Sequence, residues 1–154
     1  MMESLNDAKE ELKRVDHLIY VSLKYTRTVD VLLNIINRMI DFYDFVMEAI
    51  LRYAVEKEKV ENIPSAPRER GDLIKEIFED EVIRDNINLY FLLRKLHKSN
   101  PEKEQEYRRH VTMTSYIENK KVIVNIDIIS EYYAIQKEFL VYISSMIISD
   151  IEST

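Results

Sequence analysis

Apolar residues recur at helical spacing from the start of the chain. Leu5, Ala8, Leu12, Val15, Ile19 and Leu23 form one stripe, with Glu10, Glu11, Lys13 and Arg14 between them, which predicts an amphipathic helix over 4–24. The next segment, 28–60, is apolar over far more of its girth. Its polar residues, from Asp30 through Arg38, Asp41, Asp44, Glu48 and Arg52 to Glu56, occupy roughly a third of the helical circumference. Valine, leucine, isoleucine and aromatic residues fill the rest, so this helix requires cover on about two-thirds of its surface. It is either the centre of a bundle or a bundle helix that also meets another subunit. The two apolar arcs are out of phase on a single projection. That puts a break near Tyr25–Thr28, with Thr26 or Thr28 as N-cap.

Pro64 and Pro67 mark a loop over 61–71, because the residue before a proline disfavours helix. Short helices are expected at 72–79 and 82–98. Pro101, followed by Glu102 and Glu104, reads as the start of a polar helix ending near Arg108. The period then changes to two. Val111, Met113, Ser115 and Ile117 share one face and Val122, Val124 and Ile126 another, so 110–126 reads as a β-hairpin turning at Asn119. Asp127 is the expected cap of a final helix, 128–149, on which Gln136 projects into the apolar arc and needs a polar partner. The expected fold is mainly α: an up-down bundle of five to six helices with a small β-hairpin before the last one, as a single domain over 1–154.

Composition narrows the chemistry. One glycine, Gly71, removes every glycine-rich phosphate loop and the Gly-x-Ser-x-Gly nucleophile turn. The absence of cysteine removes disulfides and thiolate metal sites and fits a reducing compartment. The three histidines, His17, His97 and His110, show no close-pair spacing for a metal, and no Glu-x-x-His occurs, so no metal and no cofactor are expected. The acidic stripe of 28–60, interrupted by Arg38 and Arg52, reads as a solvated face. Abundant isoleucine, glutamate and lysine lean towards a thermophile. The acid-bearing N-terminus is no signal peptide, and the apolar run 139–148 is too short to span a bilayer. The expected location is the cytoplasm, with no membrane contact.

With a formal net charge of −6, any nucleic-acid contact must be local. The densest basic region is Arg94-Lys95-Leu96-His97-Lys98, followed by Tyr107-Arg108-Arg109-His110. Arginine forks beside histidine suit phosphate, and Tyr107 offers a ring for base stacking. Arg94, His97, Lys98, Tyr107, Arg108, Arg109 and His110 are therefore the expected RNA- or anion-binding residues, set against a bland role as cations at helix C-termini. No catalytic residue is assigned.

The layout of two long helices, the loop Ile63-Pro64-Ser65-Ala66-Pro67, the helix ending Leu92-Leu93-Arg94-Lys95-Leu96, a basic tyrosine-bearing segment and a long last helix resembles the HEPN group of archaeal and bacterial helical bundles. That resemblance implies a homodimer. Members of the group include metal-independent ribonucleases, toxin-like proteins, and proteins that bind nucleotides or have no known activity, so the resemblance leaves these open. The group's nuclease motif sets an arginine and a histidine more than one helical turn apart. Here Arg94 and His97 have two residues between them, and Arg109 adjoins His110. The favoured expectation is a non-enzymatic dimer, paired through the 28–60 helix, that binds RNA, a nucleotide or a protein partner. The alternatives are a metal-independent ribonuclease using His97 or His110 with Arg94, Arg108 or Arg109, and a structural assembly subunit.

Overall fold

The structure is a computed structural model and describes residues 1–153. The first helix, α1, runs Met2–His17, passes through a π-helical turn at Leu18–Ser22 and closes as α2, Leu23–Tyr25. These three pieces form one rod. Val15, Ile19 and Leu23 are spaced four apart, so a pure α-helix would rotate them progressively off the core. The wider π turn absorbs that drift, and all three are buried.

Thr28 breaks the rod. Its side chain accepts a hydrogen bond from Val31 N at 3.2 Å and opens α3, Val29–Glu56, as the phase shift predicts. α3 is the centre of the molecule. α1, α6 and two shorter helices, α4 (Pro67–Ile77) and α5 (Glu81–Lys98), pack around it. Val55, 37% exposed, is its most exposed large apolar side chain. Most of the wide apolar girth is thus covered within one chain, while Val31, Leu33, Phe45 and Tyr53 stay half-buried.

Helix α4 starts five residues before the expected 72, because Pro67 suits the first helical position, where its missing N–H is not needed. Gly71 therefore lies inside a helix and not at a loop end. A Cβ there would stand 2.4 Å from Phe91 Cζ, so the bare backbone is what lets α4 and α5 approach so closely. Asp80 caps α5, accepting from Ile83 N at 3.0 Å.

The segment after Pro101 is not a helix. Residues Glu102–Glu104 form strand β1, paired antiparallel with β2 (Thr112–Ile117), which pairs in turn with β3 (Lys120–Val124). A helix over 101–108 would have no apolar face to bury, whereas β2 offers an unpaired backbone edge. The sheet is thus three-stranded, in the order β1-β2-β3. Ile117 pairs with Lys120, so the turn is the two residues Glu118-Asn119, at φ 52° and 67°. Two positive φ values in a two-residue loop make the type I′ turn that matches the twist of a hairpin.

The last helix, α6, spans Ile126–Ser153. Its cap is Asn125, which accepts from Ile128 N at 2.9 Å, and Asp127 falls in the first turn. Gln136 is fully buried and donates to the Met39 carbonyl of α3 at 3.0 Å. No helix among the described residues is long and apolar enough to cross a membrane.

Candidate anion-binding surface

Two consecutive helices build the most cationic surface. Pro67 starts α4 so that Arg68 lies in its first turn, and the last turns of α5 carry Arg94, Lys95 and Lys98. These four cations line a cavity of about 250 Å³ with Ala66, Pro67 and Phe91, and no acidic residue lines it. A second cavity of about 400 Å³ shares Arg68, Phe91 and Lys95 with the first and adds Lys75, Lys120 and the acid Glu118. The Arg68 guanidinium lies over the Phe91 ring, 4.2 Å from its centroid, and Lys75 stands 5.4 Å from the same ring. Stacking orients the Arg68 fork and leaves its N–H edges available.

Some of this charge is engaged. Lys95 donates to Glu118 at 2.6 Å and Arg68 to Asp72 at 3.3 Å, and these are exposed pairs of small worth. Arg94 lies over the Tyr90 ring at 5.7 Å, and the Tyr90 hydroxyl donates to Asp44 Oδ1 at 2.6 Å. Burial pushes the Asp44 carboxyl above its ordinary range, while the Tyr90 hydrogen bond and the Arg94 charge pull the other way. Asp44 is therefore a half-buried anchor and not part of a solvated stripe.

The seven residues expected from sequence to share a site are separated. Arg94 and Lys98 line the α4–α5 cavity. Arg109 and His110 line a different cavity of about 320 Å³ with Arg27, Asn125 and Asp127. His97, Tyr107 and Arg108 are exposed and line neither. Left-handed backbone at Gln105 and Tyr107, at φ 57° and 65°, turns the second basic run away. Tyr107 N then donates to the Arg27 carbonyl at 2.6 Å, which pins this loop over the start of α3. Arg68, Lys75 and Lys120 were missed. Their signals were Pro67 as a helix-start residue and the lysine at the hairpin turn. Among the described residues, no three histidine, aspartate or glutamate side chains converge as metal ligands would. No family model, curated protein or solved structure matches the chain.

Proposed function

We propose that this protein is a non-enzymatic, dimeric binding module that holds single-stranded RNA on the α4–α5 surface. The observation that carries the reading is a cavity lined by four cations and no acid in a chain of net charge −6. Arg68 and Arg94 offer forked donors for phosphate oxygens, and Lys95 and Lys98 add point charges. Phe91 is 8% exposed beneath Arg68, so it offers no free face for stacking a base. Recognition of this kind acts on phosphates and carries little sequence preference. Such a ligand places the protein in the cytoplasm.

The dimer is drawn from α6. Its outward side exposes Ile135, Val141 and Ile148, a broken apolar stripe interrupted by Glu138 and Ser145, with Tyr142 beside it donating to Asp80. Stripes of this kind mark interfaces, and a second copy closes one under two-fold symmetry. The HEPN-like layout agrees with this reading, since members of that group pair as homodimers.

Fluorescence anisotropy with labelled single-stranded RNA, in chelator and at low salt, tests the proposal. Binding is expected to weaken by about 0.7 log units per tenfold rise in salt for each phosphate contacted. It is expected to be lost when Arg68, Arg94 and Lys98 are changed together to glutamine. Binding untouched by that triple change would refute the α4–α5 site. Metal-independent cleavage abolished by His110→Ala or His97→Ala would replace the binding reading with the ribonuclease one.

A further inference from the structure

A separate cavity of about 360 Å³ lies between α1 and α3, lined by Lys13, Arg14, His17, Leu18, Asn34 and Arg38 and by one acid, Glu10. It shares no lining residue with the α4–α5 surface. Glu11, beneath it, is 5% exposed and is the one charged side chain among the described residues buried so deeply. A buried carboxylate is strongly unfavourable unless it is paired. Glu11 Oε1 accepts from Arg14 Nη1 at 2.7 Å, and Glu11 Oε2 stands 3.7 Å from Arg38 Nη1, too far for a hydrogen bond. One carboxylate thus gathers guanidiniums from two helices while using few of the five N–H donors each carries. The remaining charges nearby are accounted for. Lys13 pairs with Glu10 at 3.0 Å, and Asp41 is 4.0 Å from Arg38.

The wall of this cavity is also where the helix changes its winding. The π turn begins at Leu18, directly after His17. Single π turns inside α-helices recur at functional sites, because they widen the helix and re-aim the side chains beside them. Here the turn keeps Ile19 on the core while His17 and Leu18 line the cavity.

We propose that the α1–α3 cavity is a binding site for a small phosphorylated ligand. Its phosphoryl oxygens are received by the forks of Arg14 and Arg38, flanked by the Asn34 amide and His17, and Leu18 meets the organic part. The volume falls in the range of small-molecule sites. Glu11 is a positioning residue, since it acts through the two arginines.

Calorimetry on the full chain tests this with phenyl phosphate, inorganic phosphate and acetate as probes. Saturable binding of phenyl phosphate is expected, weakened roughly tenfold or more by Arg38→Gln. Arg38→Lys is expected to weaken it too, because it keeps the charge and loses the fork. Lys121→Gln, at an exposed lysine that lines neither this cavity nor the α4–α5 surface, is expected to leave it unchanged. Circular dichroism establishes that each variant is folded, and Arg14→Gln repeats the test from the other helix. Absence of saturable binding of either phosphate would overturn the site. Acetate bound as tightly as phenyl phosphate would overturn its phosphoryl assignment. Full affinity in Arg38→Lys would overturn recognition by the forks.

Discussion

Helices α3 and α6 are each 28 residues long and rich in apolar residues. α3 is wrapped by α1, α4, α5 and α6 and exposes only Val55 among its large apolar residues. α6 is covered on one side and leaves Ile135, Val141, Tyr142 and Ile148 more than a third exposed. The same composition leads to different outcomes because cover depends on position in the bundle. The central helix has neighbours on all sides, and a rim helix has them on one. An excess of apolar girth signals burial, but the chain's own packing decides whether the burial is internal or needs another molecule. In this protein more large apolar side chains are exposed on α6 than on α3.

Truncation separates the two helices most sharply. Leu51→Ala in α3 removes a fully buried side chain and is expected to destabilise the fold by about 2–5 kcal/mol. Val141→Ala, at a residue 66% exposed, is expected to stay within about 0.5 kcal/mol for the monomer fold. Urea melts of the two variants at low protein concentration measure both. Equal losses would break the comparison, because they would mean that α6 is packed like α3.

The cover over α3 depends on close approach of its neighbours. Gly71→Ala drives a methyl into the Phe91 ring at 2.4 Å, so Phe91 must move. A loss of about 1–3 kcal/mol is expected from such overpacking, against a helix-propensity gain of roughly 0.5–1 kcal/mol. Phe91→Leu in the same background is expected to recover part of that loss in a thermal melt. No recovery would place the strain elsewhere.

Asp44 is the polar exception in the covered girth of α3, and it titrates. Its folded carboxyl sits above its ordinary range, mainly through burial. The folded state therefore holds the proton more tightly than the unfolded state. The stabilisation this gives is full below the unfolded value and declines as pH rises through the raised folded one. Asp44→Asn is expected to flatten stability against pH across that window while keeping an acceptor for Tyr90. An unchanged slope would move the titration to another group.

At alkaline pH, Tyr43, Tyr90 and Tyr133, all raised by burial, are expected to stay protonated in the fold after the unfolded chain has ionised. Stability should then fall as pH rises above about 10, the ordinary tyrosine value. Spectrophotometric titration checks this, and early phenolate absorbance in the folded protein would contradict it.

Helices were legible in the sequence wherever an apolar stripe was strong. α3 begins at the Thr28 cap that the phase shift indicated, and Gln136 finds a partner on the long helix. Strand β1 was hidden because Glu102-Lys103-Glu104 has no apolar signal. It forms because the backbone edge of β2 recruits it, and side-chain periodicity does not report that. The basic cluster was legible as charge but not as a site. Left-handed backbone at Gln105 and Tyr107 redirects Arg109 and His110, while Arg68 reaches Arg94 and Lys98 only through the packing of α4 on α5. The apolar excess of 28–60 is legible as a demand for cover, but what supplies that cover depends on the tertiary arrangement.

Sedimentation equilibrium at micromolar concentration tests the central claim most directly, on the native chain and on a Val141→Glu, Ile148→Glu variant. The native chain should give twice the 18.4 kDa chain mass. The variant should give the monomer mass with its circular dichroism unchanged, because both sites are exposed on α6. A native monomer, or a dimer that survives both charges, would contradict the assignment of α6 as the face that a second copy covers.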